Sequence, residues 1–275
     1  MKKNNSLLLS TPYIIWMLLF TLIPLGVVAF YAFTDPATGE FTLENMNALS
    51  AYLPVLWESI YYALISALIC LLLGYPVAYY IAHRTPAVQK FLHMLVMLPM
   101  CMSFLLRTLA WVGLLQDTGL INRFLDWIGI GALPLIRTPG AVILGMVYNY
   151  LPYMILPLYS TIVKIDGRLI EAAEDLGCNG VQTFGRVVLP LSTPGIFTGI
   201  TMVFVPAVST FYISQKLGGT DTVLIGDVIE RLFKQGQNQN LGAALSLVLM
   251  ALVFVCTDIM NRFGGSSDEE GGVIV

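Results

Sequence analysis

Long apolar runs separated by short polar segments dominate the chain. A membrane-spanning helix needs about 20 mainly apolar residues to cross the hydrocarbon core. The runs that meet this requirement are residues 13–33, 59–82, 91–115, 139–163, 187–214 and 241–261. None shows the alternation of apolar and polar positions that is typical of a transmembrane β-barrel strand. The pattern therefore predicts an all-α membrane protein with six transmembrane helices.

Composition also indicates a membrane protein. Charged residues make up 11% of the 275-residue chain and hydrophobic residues 57%, whereas soluble domains carry roughly 25% charged residues. A soluble globule of this length could not cover its surface with so few charges. Membrane lipid is therefore the expected partner of much of the surface. The same figures exclude a nucleic-acid-binding protein and an intrinsically disordered chain.

The distribution of charge predicts which side of the membrane each polar segment faces. Residues 34–58, after the first run, carry acidic residues but no lysine or arginine. Because lysine and arginine collect in cytoplasmic loops, we assign this segment to the outside and expect both termini to be cytoplasmic.

The chain shows no internal repeat and is interpreted as one domain with a tail. Residues 1–263 form the predicted six-helix transmembrane domain, including a cytoplasmic loop at 164–190. Residues 264–275 contain glycine, serine and acidic residues without periodicity. That composition predicts a disordered acidic cytoplasmic tail.

The loop between the fourth and fifth runs has the pattern of a short amphipathic helix. Asp166 can cap its N-terminus and Gly177 can end it. The apolar positions at i, i+3, i+4 and i+7, which share one face, are Leu169, Ala172, Ala173 and Leu176. A helix of two turns is not stable alone. The residues by themselves leave two interpretations open, a connector lying on the bilayer and a docking element.

The spacing of residues in this loop resembles the EAA loop of ABC-importer permeases. Glu171, Ala172 and Ala173 are followed after three residues by Gly177, then by Val187 and, one residue later, by Leu189 and Pro190. The family usually has isoleucine at the position of Val187. The resemblance implies a coupling helix that docks on a separate cytoplasmic ATPase. The implied coupling residues are Glu171, Ala172, Ala173, Asp175, Gly177, Leu189 and Pro190.

Other segments resemble the polyamine (spermidine/putrescine) branch of the same family. These segments are residues 41–45, 74–80, 107–111, 151–159 and 218–226. The match is best for the first of the two permease subunits of a polyamine importer. One departure concerns Cys101 and Ser103, where the family commonly has tryptophan and asparagine; a tryptophan there could stack on a cationic amine.

The resemblance implies a complete importer with the type I permease architecture in a bacterial cytoplasmic (inner) membrane, where the chain is a multi-pass protein. The implied partners are a homologous second permease subunit, two cytoplasmic ATPase subunits and an external substrate-binding protein. The chain has no Walker motif, Gly-x4-Gly-Lys-Ser/Thr. We therefore expect it to be no enzyme and to hold no cofactor, with ATP and magnesium bound by the ATPase subunits.

Candidate residues for the translocation pathway lie in the third to fifth runs and close to the last run. Arg107 either snorkels to the interface or forms a gating or structural ion pair, since its charge argues against direct contact with an amine. Aromatic faces and amide oxygens suit a flexible polycation, although an interfacial aromatic belt and helix packing would use the same residue types. These candidates are Trp111, Tyr148, Asn149, Tyr153 and Tyr212. Asp227 belongs to an outer excess of acidic residues that would attract cations.

Other transporters and enzymes are the alternatives. A permease of the same architecture for an anion or another small, amino-acid-like solute stays open. A secondary transporter would need its own coupling ions, and the runs lack paired acidic residues. An intramembrane enzyme would need catalytic polar residues at midplane depth, and the sequence offers too few.

Overall fold

The computed structural model describes residues 11–35, 38–219, 222–234, 236 and 238–264. Within these ranges the chain is helical apart from turns, loops and one isolated β-bridge between Thr34 and Phe41. Four helices are long and apolar enough to cross a membrane, and two bent pairs raise the number to six if each pair is one span. The tail predicted to be disordered lies outside the described residues, apart from Gly264.

The chain divides into two compact units, which are described separately. The first comprises residues 1–54 and 228–252, and the second comprises residues 55–227 and 253–275. Three helices run across these limits: α3 (Leu53–Ala82), α13 (Ile225–Lys234) and α14 (Gln239–Gly264).

The first unit is built around small residues and amide hydrogen bonds. It contains α1 (Thr11–Ala32), α2 (Glu44–Ala48) with the 3-10 turn Leu49–Tyr52, and parts of α13 and α14. Ala32, Ala243 and Ala244 form its buried cluster. The Asn45 side chain donates to the carbonyls of Ala32 and Thr34, and the Asn240 side chain also donates to Thr34. These bonds satisfy carbonyls that the end of α1 leaves without helical partners.

The second unit contains the remaining helices. In chain order these are most of α3, α4 (Pro86–Met97), α5 (Phe104–Leu115), α6 (Leu120–Trp127), α7 (Pro139–Ile162), α8 (Gly167–Asp175), α9 (Gly180–Thr183), α10 (Leu189–Leu191), α11 (Thr193–Val208), α12 (Tyr212–Leu217) and the first residues of α13. A 3-10 turn, Leu98–Cys101, extends α4, and a π-helical turn, Phe184–Val188, joins α9 to α10.

Helices α3, α7 and α11 meet at Met154, which is fully buried. A Cβ added to Gly74 of α3 would lie 3.1 Å from Met154 Cγ, and one added to Gly199 of α11 would lie 2.6 Å from its Sδ. The two glycines therefore allow both helices to approach α7 closely. At Gly145, a Cβ would meet Leu217 Cδ1 at 2.5 Å, so α12 packs on α7 in the same way.

Each of the third and fifth predicted spans consists of two helices that meet at a bend. The third bends by 86° between Cys101 and Phe104, and the fifth bends by 64° between Leu191 and Thr193. Proline removes a backbone donor and clashes with the preceding turn, and Pro99 and Pro190 lie close to the two breaks. The fifth span also ends at Val208, before the separate helix α12.

Proline also accounts for the two π-helical turns in the described part of the chain. Leu18–Leu22 and Phe184–Val188 each end two residues before a proline, Pro24 and Pro190. Because proline lacks an N–H, the carbonyl four residues earlier loses its helical donor. That carbonyl lies inside the π-helical turn in both cases, and wider turns of this kind accommodate such a defect.

Candidate functional site

Helix α8 has the ends that the sequence predicts. The Asp166 side chain accepts a hydrogen bond from the backbone N–H of Arg168 at 3.0 Å. Gly177 follows the helix with a φ of +85°, a conformation that favours glycine. The Gly177 N–H donates to the carbonyl of Glu174, and the Cys178 N–H donates to that of Ala173. Both termini of this short helix are thus satisfied locally.

The surface of α8 divides into three sectors. Ala173 is buried and Ile170 is half-buried, so these two residues hold the helix against the rest of the second unit. Leu169, Ala172 and Leu176 are exposed, and Leu176 is 86% exposed. The third sector carries the charged side chains Arg168, Glu171, Glu174 and Asp175.

The four apolar positions therefore share a side of the helix, as predicted, but they differ in burial. Only Ala173 of the four is buried. The contact with the protein runs through Ile170 and Ala173 at the edge of the apolar stripe, which leaves Leu169 and Leu176 free for another molecule.

An aromatic cluster connects the end of α3 to the segment that follows α8. The Phe184 ring meets the edge of the Tyr75 ring at 5.4 Å between centroids and that of the Tyr79 ring at 5.8 Å, both nearly perpendicular. Tyr79 in turn contacts His83 at 4.2 Å between ring centroids. Edge-to-face pairs of this kind are favourable beyond their buried area. The Phe184 segment is therefore packed directly on α3.

A buried hydrogen bond joins α3 to the bend of the fifth span. The Tyr75 hydroxyl lies 2.7 Å from Ser192 Oγ. Because the Ser192 hydroxyl donates to the carbonyl of Leu189, Tyr75 is the donor to Ser192. Tyr75 lies within a segment that the sequence analysis singled out, but Phe184 and Ser192 were missed, since neither belongs to a recognised spacing.

Two hollows flank α8. A cavity of about 150 Å³ lies beneath it, and its lining is Ala82, His83, Ile162, Val163, Ile165, Gly167, Ile170 and Val188. A cleft of about 630 Å³ opens beside it, and its lining is Pro157, Ser160, Thr161, Lys164, Ile165, Asp166, Leu169, Leu191, Pro194 and Thr198. The helix thus has unfilled space on two of its sides.

The last two coupling residues lie in α10, at the foot of the fifth span. Leu189 and Pro190 are exposed, and Val188 before them is buried. The structure therefore brings all seven predicted coupling residues into one continuous segment, which begins at α8 and ends at the bend.

Helices α5, α7 and α12 bring most of the pathway candidates together. The Trp111 ring meets the Tyr148 ring at 5.4 Å between centroids, with the planes 72° apart. Phe104 contacts Tyr212 at 6.2 Å, and the Lys216 ammonium lies 5.8 Å from the centre of the Tyr212 ring. Tyr148 and Tyr153 remain more than one-third exposed. Aromatic faces on three helices thus stay open to contact.

Arg107 is buried among these helices and is only 6% exposed. That burial excludes a snorkelling side chain on the surface of this chain. Its Nε and Nη1 atoms have no hydrogen-bond partner among the described residues. A buried guanidinium is costly unless paired or hydrated, so this burial leaves the gating or structural ion pair as the remaining interpretation of Arg107.

Asn149 and Tyr150 contribute further polar atoms to the interior of α7. Asn149 is 1% exposed; its amide donates to the carbonyl of Gly145, and its Oδ1 has no partner within the described ranges. The Tyr150 hydroxyl donates to the carbonyl of Pro206 at 3.3 Å. Tyr150, absent from our predicted set, is therefore a structural link between α7 and α11.

Asp227 does not belong to this group and is not a surface residue. It is buried, and its Oδ2 accepts a hydrogen bond from the N–H of Leu224 at 3.0 Å. Beside it, the N–H of Ile225 donates to Ser59 Oγ at 2.7 Å. The expectation that Asp227 attracts cations from an exposed outer surface is thus corrected, because the side chain organises the start of α13.

Comparison with known proteins gives consistent matches. A family model for the binding-protein-dependent transport system inner membrane component matches residues 71–263. Over 263 residues the chain is 40% identical to the spermidine/putrescine transport system permease protein PotB of Haemophilus influenzae, covering 90% of this chain and 92% of that protein. It is 39% identical to PotB of Escherichia coli K12 over 243 residues, or 85% and 88% of the two chains.

The fold also matches a solved transporter. A chain from a bacterial ABC transporter involved in the import of the acidic polysaccharide alginate superposes with a TM-score of 0.75, covering 97% of this chain and 98% of that one. At 21% sequence identity this likeness concerns the fold alone. It confirms the predicted all-α architecture of an ABC-importer permease.

Proposed function

The chain belongs to the family of binding-protein-dependent transport system inner membrane components, and from that premise we propose that it is the permease subunit of an ATP-driven polyamine importer. The observation that carries the choice of substrate is the 40% identity, across 90% of the chain, with a spermidine/putrescine permease. Because the family consists of transport components, the prediction that the chain is not an enzyme is confirmed.

Helix α8 is the proposed point of energy input. Its exposed apolar sector and its four charged residues suit a cleft on a cytoplasmic ATPase subunit, and in this proposal both termini of the chain are cytoplasmic. ATP and magnesium bind to two such subunits, and closure of the ATPase pair draws α8 and its counterpart in a homologous second permease together. The Tyr75–Phe184 contact and the Tyr75–Ser192 hydrogen bond support a route from α8 to α3 and α11.

The substrate path runs past the aromatic faces of α5, α7 and α12. An external binding protein delivers a polyamine, whose ammonium groups contact the rings of Trp111, Tyr148, Tyr153 and Tyr212 in turn. Weak, successive contacts of this kind allow passage without a deep binding minimum. Arg107 does not contact the amine in this proposal, because like charges repel, and acts as a structural or gating partner within the assembled transporter.

The test is uptake into vesicles that carry the assembled transporter. We expect saturable, ATP-dependent uptake of spermidine or putrescine in the presence of the binding protein, and none of sulfate. Vesicles without the binding protein, and vesicles with a non-hydrolysable nucleotide, are the matched controls. Uptake of sulfate with neither amine transported would reject the polyamine assignment, and amine uptake without ATP would reject the coupling assignment.

A further inference from the structure

Helix α6 (Leu120–Trp127) presents an exposed apolar face that the transport function does not use. At 3.6 residues per turn, Leu120, Phe124, Trp127 and Ile128 fall within about 100° of one another around the helix. All four are exposed, Trp127 to 81% and Phe124 to 58%. The chain thus presents a large exposed aromatic and aliphatic surface on this side of α6.

The other two sides of α6 differ from the apolar face in burial and charge. Ile121 and Leu125 are half-buried, so they hold the helix on the protein. Arg123 and Asp126 are exposed and lie together on a third side. The division into an attached side, a charged side and an exposed apolar side is the pattern of a helix at a boundary between water and an apolar phase.

The orientation of α6 is fixed, so the apolar face cannot turn inward. Asn122 is buried, and its amide donates to the carbonyls of Gln116 and Leu133 while its Oδ1 accepts from the N–H of Leu133. At Gly119, before the helix, a Cβ would clash with the carbonyl oxygen of Leu114. These contacts clamp α6 to the loops on both sides, and its apolar side chains must be covered from outside.

The position of α6 along the chain limits what can cover it. Helix α5 ends at Leu115, and only residues 116–119 separate it from α6. Four residues reach at most about 14 Å even when fully extended. The bent pair that could form one membrane span runs from Pro86 to Trp127 and includes α6 as well as α5. Because α5 also exposes Leu105, Leu106 and Leu109, α6 stays within reach of the bilayer that covers α5.

From these observations we propose that α6 is an interfacial helix, which lies in the surface of the bilayer with its apolar face among the lipid headgroups and upper acyl chains. Tryptophan and phenylalanine are the residue types that favour this zone. The charged side, Arg123 and Asp126, faces water. The neighbouring α5 also exposes apolar side chains, Leu105, Leu106 and Leu109, which favours lipid over a protein as the occupant.

The consequence is an anchor for the bent third span. Because α6 is clamped to the end of α5, its position in the bilayer surface holds one end of the helix that carries Arg107 and Trp111. Because this end of the span is fixed, the rest of the span would move by a change in the 86° bend.

Quenching of Trp127 fluorescence by brominated phosphatidylcholine tests the proposal. The full chain is reconstituted in vesicles, and the emission of Trp127 is obtained as the difference between the wild type and Trp127→Phe, so that the other tryptophans stay in place. We expect lipids brominated at carbons 6 and 7 to quench at least half of this emission. Lipids brominated at carbons 11 and 12 should quench it less, and aqueous iodide should have almost no effect.

The matched control places tryptophan on the charged side of the same helix, in the variant Trp127→Phe/Arg123→Trp. Its emission should be quenched by iodide and not by brominated lipid. The same measurements follow on the assembled transporter with binding protein. Quenching of Trp127 by iodide, or protection from lipid and iodide together in the assembled transporter, would overturn the proposal, the second outcome in favour of a protein contact.

Discussion

Two short amphipathic helices of the second unit, α6 and α8, have the same plan and different surfaces. Each is held to the protein by one side, carries charges on another and exposes apolar residues on the third. The exposed side of α6 contains the large side chains of Phe124 and Trp127. The corresponding side of α8 is narrower and is built from alanine and leucine, chiefly Ala172 and Leu176.

The difference indicates what each helix meets. Aromatic rings suit a bilayer interface because one phase can take up their full apolar area. Small residues beside several charges suit a protein cleft, since a backbone can approach closely and charged groups find partners at its rim. Substitutions on the two helices should therefore have opposite consequences for transport and for contact with lipid.

The largest effect is expected at Gly177. Aspartate at this position would have to adopt a φ of +85° and would add a negative charge next to α8. We expect Gly177→Asp to reduce binding-protein-stimulated ATPase activity and uptake to the basal level while the chain still inserts in the membrane. Gly180→Asp is the matched control, because Gly180 is close in sequence, exposed and free of positive φ. Equal loss in both variants would mean that charge alone, rather than the turn, is responsible.

A glutamate on each exposed apolar side separates the two helices directly. Leu176→Glu should reduce uptake about tenfold, equivalent to about 1.4 kcal/mol of lost docking free energy, without changing protein yield, since the side chain is exposed. Phe124→Glu, on the same exposed side of α6, should leave stimulated ATPase activity near the wild-type level and reduce the quenching of Trp127 by brominated lipid. Reversal of this pattern, with ATPase activity lost in the α6 variant alone, would contradict the assignment of both surfaces.

The aromatic faces of the pathway candidates should give a smaller effect. Tyr148→Ala removes the ring that meets Trp111, and we expect uptake of spermidine to fall several-fold with ATPase coupling intact. Tyr148→Phe keeps the ring face and should stay close to the wild type. Uptake and ATPase rates measured on the same vesicles check this distinction, and equal effects of alanine and phenylalanine would point to the hydroxyl instead of the ring.

The smallest effect is expected for the hydrogen bond between Tyr75 and Ser192. Tyr75→Phe leaves the ring contact with Phe184 and removes only the hydroxyl, a loss of about 1 kcal/mol. We expect a modest decrease in the thermal midpoint and in the amount of substrate moved per ATP hydrolysed. Tyr80→Phe serves as the control because the Tyr80 side chain is exposed. An unchanged ratio of transport to hydrolysis would remove Tyr75 from the coupling route.

The sequence predicts the helices well because long apolar runs leave few alternatives in a membrane. Asp166 and Gly177 likewise mark the ends of α8 through local chemistry alone. The size of the bends near Pro99 and Pro190 could not be predicted, because proline inside a membrane helix produces anything from a slight kink to a break. The sequence does contain a signal for α6, since Leu120, Phe124 and Trp127 have the i, i+4 and i+7 spacing of one helix face. This signal was missed because it lies between two apolar runs.

Burial was the property that the sequence could not supply. The sequence left Arg107 open between the membrane interface and an ion pair, and it assigned Asp227 to the outer surface. Both side chains are buried by contacts between segments distant in sequence. Helix α8 shows the same limit, since the spacing identified its apolar stripe but not which part of it the protein itself covers. Such outcomes depend on the packing of α3, α5, α7 and α11, which no local pattern encodes.

Site-specific cross-linking in the assembled transporter tests the central claim, that α8 couples this chain to an ATPase. After replacement of the native cysteines, Leu176→Cys and Leu120→Cys are each labelled with a short cross-linker that carries one maleimide and one photoreactive group, and membranes of the two variants are compared after illumination. We expect the cysteine of Leu176→Cys to cross-link to an ATPase subunit in a nucleotide-dependent manner and that of Leu120→Cys not to do so. Labelling of Leu176→Cys from outside intact cells, or capture of no ATPase subunit, would contradict it.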